Sequence, residues 1–244
     1  MSNVDFGYRK VAPEEKTRLV HGVFESVAEN YDLMNDLMSL GAHRLFKRMT
    51  VEMSGVRPGD RVLDLAGGTG DLAALFAPLV GSEGSVVLAD INAAMMRVGR
   101  DRLLDRGING VSFCQANGER LPFPDHTFHC VSIGFGLRNF TDKRRALAEL
   151  CRILLPGGVL LVLEFSKPES PLIDAGYKAF QALWPGMGRL LAGDAGSYRY
   201  LVESIDRHPS QKALKLMMED AGFRDVEYHN LISGVAAIHR GVKP

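Results

Sequence analysis

A short apolar run, Val62-Leu63-Asp64-Leu65, passes directly into Ala66-Gly67-Gly68-Thr69-Gly70-Asp71. Glycines at a strand-to-helix turn accept positive φ and leave the backbone bare. A ligand can then sit against helix N-terminal N–H groups at the carboxyl edge of a sheet. Asp90 closes the next apolar run, 20 residues after Gly70, where a carboxylate accepts both hydroxyls of a ribose. A tight turn with a capping Asp is the plain alternative, but the paired acid at this spacing argues for an adenosine site. The loop alone does not choose the ligand, because Gly68-Thr69-Gly70-Asp71-Leu72-Ala73 also satisfies the G-x-G-x-x-A pattern of dinucleotide enzymes. Asp64, inside the strand end, would repel a pyrophosphate and suits a cationic ligand. This favours S-adenosylmethionine, whose sulfonium and ammonium are both positive.

Other reactive side chains are less telling. His126 and His129 form H-x-x-H, yet they flank a turn before a strand, with no carboxylate or cysteine set beside them, so no metal site is expected. Met34, Met38, Met95, Met96, Met217 and Met218 fall at core-like positions and read as packing. Cys114, Cys130 and Cys151 are an odd count without C-x-x-C, which suits a reducing, cytoplasmic compartment better than a disulfide framework.

The elements that must position the loop alternate in type. Apolar runs at Val62 to Leu65, Val86 to Ala89, Val111 to Cys114, Phe128 to Ile133 and Val159 to Leu163 are separated by helical periodicity near Asp71 to Leu79, Ala93 to Arg106 and Lys143 to Leu154. That is the βαβ signature of a parallel sheet in an α/β fold. Ahead of it, Pro13 to about Asn30 reads as an amphipathic helix and His43 to Met53 as a second. Pro156-Gly157-Gly158 is expected to break the chain, and an irregular or helical stretch follows. The end reads as helix (Gln211 to Ala221), turn, and two strands, Val226 to Leu231 and Val235 to His239. These are too close for a crossover helix and should pair as an antiparallel hairpin.

At 244 residues, 46% hydrophobic and 24% charged, the chain has the composition of a single globular domain over 1–244 rather than a disordered one. Lys+Arg and Asp+Glu are both 29, so the net charge is zero, and the cationic excess that nucleic-acid binding needs is missing. Met1 to Lys16 lacks the apolar region of a signal peptide, and no stretch approaches the ~18 apolar residues that span a bilayer. Any membrane association is expected to be peripheral, on the inner face of the cytoplasmic membrane.

The terminal hairpin resembles the one that closes the sheet of class I methyltransferases, a Rossmann-like fold with a mainly parallel seven-stranded sheet. More specific blocks are Tyr31-Asp32-Leu33-Met34-Asn35-Asp36-Leu37-Met38-Ser39, Val62 to Leu72, Leu88-Ala89-Asp90-Ile91-Asn92, Gln115-Ala116-Asn117-Gly118-Glu119, Gly136-Leu137-Arg138-Asn139 and Leu163-Glu164-Phe165-Ser166-Lys167-Pro168. Together they resemble the UbiE/MenG quinone C-methyltransferases, from about Phe6 to the tail Gly234 to Gly241. The resemblance implies methyl transfer from S-adenosylmethionine to a ring carbon of a polyprenylated quinol. It also implies that Thr69 lies against the cofactor with Gly68 and Gly70, that Asp90 binds ribose, and that Asn117 and Gly118 frame the adenine. It leaves open a homodimer or membership of a quinone-biosynthesis assembly. The sequence departs from the family at Ala66, where a first glycine is common, at Gly118 and Gly134, where Ala and Ser are, and at Phe46, where Trp is.

Methylating a ring carbon requires an electron-rich nucleophile, which a hydroquinone becomes on losing an O–H proton. Either a general base or a fixed cation would favour that phenolate. Arg138, after the fourth strand, is the expected electrostatic clamp; a base role would need unusual desolvation, and a loop salt bridge is the non-catalytic alternative. Asn139 is expected to orient the second quinol oxygen, and Tyr31, unless it is simple core, to hydrogen-bond or stack on the ring. Residues 13–55 would form a helical cover and 167–208 a lid-like insertion. Within the insertion, Tyr177, Phe180, Leu183, Trp184, Met187, Leu190 and Leu191 form an apolar stripe that reads equally as an acceptor lid or as packing. Transient contact with a membrane surface is expected through this stripe.

Overall fold

The computed structural model describes residues 3–28, 31–192 and 195–244, without the side chains of Asp32 and of residues 190–192. The expected helix end at Asn30 and the stripe positions Leu190 and Leu191 therefore lie outside the described residues and side chains. The chain opens with a small hairpin that the hydrophobic pattern does not announce, β1 (Val4–Phe6) and β2 (Arg9–Val11), turned at Gly7 with φ 57°. Helix α1 (Pro13–Val27) starts on Pro, whose missing N–H costs nothing in a first turn. The following segment, with no helix expected, forms α2 (Tyr31–Ser39) ahead of α3 (Ala42–Glu52). Its Asn and Asp residues mask the helix, while Met34 and Met38, an i, i+4 pair, are almost fully buried as their core-like reading requires.

The alternating region then folds as read: β3 (Arg61–Leu65), α4 (Asp71–Val80), β4 (Ser85–Asp90), α5 (Ala93–Asp105), β5 (Val111–Gln115), β6 (Phe128–Gly134), α6 (Lys143–Ile153) and β7 (Leu154–Phe165). Asn92 caps α5 by accepting from the Ala94 and Met95 N–H groups, and Asp142 caps α6 through the Arg145 N–H. The expected break at Pro156-Gly157-Gly158 does not occur. The strand continues through a bulge at which its register against β6 jumps from Phe128↔Leu154 to Cys130↔Val159. Gly157 supplies the positive φ of 78°, and its N–H donates to the Lys243 carbonyl, so the chain's final residues hold the bulge.

The insertion is three helices, α7 (Pro171–Gln181), α8 (Trp184–Ala192) and α9 (Ala195–Arg207), followed by α10 (Gln211–Asp220), β8 (Arg224–Leu231) and β9 (Ala236–Val242). The seven-stranded sheet runs β5-β4-β3-β6-β7-β9-β8, with β9 antiparallel to both neighbours, as the terminal hairpin expectation required. Successive residues of β3 point to opposite faces: Val62 belongs to the core that holds Leu72, Phe76 and Trp184, and Leu63 to the core that holds Leu147, Leu150 and Met218. Each such fully buried aliphatic side chain contributes roughly 1.5–3 kcal/mol. Strand order reverses between β3 and its two neighbours, which opens a crevice at their carboxyl ends.

Candidate active site

The loop in that crevice is built on left-handed backbone. Ala66, Gly68 and Gly70 have φ of 53°, 53° and 83°, so Ala66 carries a strain that the glycine common at that position would avoid. Helix α5 reaches the loop only because Gly99 lacks a side chain: a Cβ there would lie 2.8 Å from the Gly68 carbonyl oxygen. Asp90 ties the same loop down from β4. Its Oδ2 accepts the Gly68 N–H at 3.0 Å and its Oδ1 the Asn92 N–H at 2.8 Å. Burial pushes the Asp90 carboxyl upward in pKa, while these N–H donors favour its anion.

Gly68 and Asp90 form one wall of a cleft whose far wall is Asn117, Gly118 and the Phe140 ring. Asn117 Oδ1 accepts the Glu119 N–H at 2.9 Å, which sets the turn. A Cβ on Gly118 would lie 2.6 Å from the Phe140 ring, so the glycine makes room for an aromatic face on this side of the cleft. Helix α1 and Tyr31 roof it, with the Tyr31 and Phe24 rings 6.2 Å apart.

Past Ala66 and Tyr31 lies an adjoining recess that holds Asp64 and Thr69 together with Lys47 and Asp71. Asp64 is 1% exposed, accepts Ser132 Oγ–H at 3.1 Å and the Ala73 N–H at 3.0 Å, and burial drives its pKa up to about 7. Such a carboxyl gains most from a cation brought beside it. Asp71 is the contrasting acid: burial pushes it up, but Lys47, 2.7 Å away, and Arg102 outweigh that and hold it below the usual range.

Of the three residues assigned to the acceptor, Asn139 and Tyr31 line the cleft and Arg138 does not. Asn139 Oδ1 accepts Tyr200 Oη–H at 3.0 Å. The Tyr31 phenol is pushed up to about 12 by burial, against the opposing pull of the Arg138 charge. The guanidinium expected to face the acceptor turns instead behind the turn Leu137–Asn139, where Nη1 meets Glu164 Oε1 at 2.9 Å and also donates to the Phe135 carbonyl. The physical reason is Glu164: a carboxylate buried in β7 requires a cation, and Arg138 is in reach. Glu164 enters the sequence reading only within the block Leu163 to Pro168 and without a role, although an acid ending an apolar strand is the same signal that marks Asp64. Lys47, Gly99, Phe140 and Tyr200 carry no such local signal. Trp184, placed in the apolar stripe, is fully buried with Tyr177 and Phe180 edge-on to it, and among the described side chains of this region the exposed large apolar ones are Leu172 and Leu183.

A sheet of this order, with a glycine loop after its first strand and a carboxylate closing the second, defines a class I S-adenosylmethionine-dependent methyltransferase. The fold is shared with a methyltransferase from Aquifex aeolicus (TM-score 0.61, 18% identity, 87% of this chain and 98% of that one) and with one from Thermotoga maritima (TM-score 0.65, 22% identity, 91% and 99%). Residues 10–243 match the ubiE/COQ5 methyltransferase family, and the chain belongs to that family. It is 60% identical to the ubiquinone/menaquinone biosynthesis C-methyltransferase UbiE of Pseudomonas paraeruginosa, over 98% of this chain and 94% of that one. With the protein of the same description from Cellvibrio japonicus the identity is 58%, over 98% and 97%.

Proposed function

We propose that this enzyme methylates a ring carbon of a polyprenylated quinol: demethylmenaquinol, a 2-methoxy-6-polyprenyl-1,4-benzoquinol, or both. The observation that carries this reading is the 60% identity to a UbiE enzyme along nearly the whole of both chains. The bound cofactor supplies an electrophilic methyl group on a sulfonium. In this reading Asp90 holds the ribose hydroxyls, and Asn117 and Gly118, backed by Phe140, receive the adenine. Gly68, Thr69 and Gly70 line the backbone approach, and Asp64 receives a cationic group. The Tyr31 phenol, protonated at neutral pH, donates to one quinol oxygen, and Asn139 holds the second. Arg138 acts on the phenolate through its field rather than by contact; burial raises the pKa of Tyr31, Tyr177 and Tyr200 and the Arg138 charge opposes it, with Glu164 adding to the rise at Tyr177 and Tyr200 but not at Tyr31.

The chain works here as one domain, with α1 to α3 covering the cofactor and α7 to α9 closing the acceptor side. No helix among the described residues is long and apolar enough to cross a membrane. Leu172 and Leu183, 82% and 59% exposed, offer weak peripheral contact with the lipid that holds the substrate tail. Turnover of a short-chain demethylquinol, with the product ring identified by mass, tests the reaction. Cofactor binding without turnover on any quinol, or methylation of a different apolar acceptor only, would refute it.

A further inference from the structure

A second pocket lies behind the cofactor cleft, on the other side of the segment Arg138 to Thr141. The amino-terminal hairpin, α1, the start of α6 and α9 enclose about 250 Å³, space for several waters at roughly 30 Å³ each. Five cationic side chains line it: Lys10, Lys16, Arg138, Lys143 and Arg207. Asp5 pairs with Lys10 and Glu164 with Arg138. Among the described residues, no carboxylate forms an ion pair with Lys16, Lys143 or Arg207.

The two lysines share one acceptor. Lys16 Nζ donates to the Phe140 carbonyl at 3.0 Å and Lys143 Nζ to the same oxygen at 3.2 Å. Each ammonium has three N–H bonds, so two on each remain for another partner. Lys16 is 4% exposed; burial first, and then the neighbouring Lys143, lower its pKa to about 8. Arg138 lines the pocket with its side chain 2% exposed and its Nε–H without a hydrogen-bond partner. Two crowded ammonium groups and a rim arginine line one space, with the buried Arg138 charge at its wall. Such an array is satisfied by a compact oxyanion with several acceptor oxygens.

We propose that this pocket binds a phosphate group, carried by a soluble phosphate compound or by a lipid headgroup. Because Thr141 lines both this pocket and the cleft, an occupant would also bear on the turn that presents Asn139. The assignment does not depend on the acceptor chemistry proposed above.

Calorimetric titration of the full chain with inorganic phosphate and with pyrophosphate should show saturable binding. Lys143→Gln and Arg207→Gln, each removing charge-assisted hydrogen bonds, should weaken it by about tenfold. Arg207 is exposed at the rim, so its variant decides the matter if Lys143→Gln fails to fold. Phosphatidylcholine vesicles with and without phosphatidic acid separate the sources. Preferential sedimentation with the acidic vesicles, reversed by pyrophosphate, supports a headgroup, whereas binding of the small anions without vesicle preference supports a soluble phosphate. No saturable binding of either small anion, or unchanged affinity in both variants at an unchanged melting temperature, overturns the proposal.

Discussion

Arg138 Nη1 lies 2.9 Å from Glu164 Oε1, and the two side chains are 2% and 1% exposed. Glu164 Oε2 also accepts the Arg138 backbone N–H at 3.1 Å, so one carboxylate holds both ends of the residue. Removing one member leaves the other charged and buried, at a cost of about 3–5 kcal/mol. Glu164→Gln should therefore lower the melting temperature strongly and reduce turnover. Arg138→Lys should keep more of the stability and near-normal cofactor affinity while losing most turnover, because a point ammonium on a different stem does not reproduce the position and planar charge of the guanidinium whose Nη1 meets both Glu164 and the Phe135 carbonyl. Thermal unfolding of Glu164→Gln at the wild-type temperature would remove the pair from this account.

Asp90→Ala should weaken S-adenosylmethionine binding by on the order of 1.5–3 kcal/mol for each charge-assisted hydrogen bond lost. The loop should also loosen, since the Gly68 N–H loses its acceptor. Calorimetry checks the affinity, and equal affinity in the variant would take Asp90 out of the site. NAD should not displace the cofactor in the same cell.

Asp64 predicts a pH dependence with a definite sign. Its folded-state pKa, about 7, lies above the unfolded value of about 3.9, so the native state binds the extra proton between them. Its contribution to stability is fully present below about pH 4, falls as pH rises through 7, and is level above, a change on the order of 4 kcal/mol. A cationic cofactor prefers the ionised form, so its affinity should rise over the same window and binding should release a proton. Asp64→Asn should flatten both profiles; an unchanged slope in that variant would assign the titration to another group.

Gly99→Ala tests the fit of α5 against the loop. An alanine is ordinarily worth about 1 kcal/mol over glycine inside a helix. Here its Cβ would meet the Gly68 carbonyl oxygen at 2.8 Å and the Thr69 backbone at 3.1 Å, and neither can rotate away. The variant should lose about 1–3 kcal/mol of stability and bind cofactor more weakly. A gain in melting temperature with intact affinity would show that the helix has room to withdraw.

Local patterns decided much of this protein. Short apolar runs such as Val86 to Ala89, spaced by helical periodicity, read as strands covered on both faces, and the glycines after Leu65 mark their turn by residue type alone. Asp64 and Asp90 were legible because an acid at the end of a buried strand is costly unless it has a task. The terminal hairpin followed from the short spacing between its two runs. Tertiary structure alone decided which way Arg138 points, because its partner Glu164 is 26 residues away across the β6–β7 edge. The same holds for the bulge at Gly157, held by Lys243 from the far end of the chain, and for α2, whose polar residues obscure the helix although Met34 and Met38 read as core. The cationic pocket is the extreme case. Lys10, Lys16, Lys143 and Arg207 are ordinary surface-type residues in sequence, and only the packing of the hairpin, α1, α6 and α9 around one turn gathers their charges, with that of Arg138, against a common space.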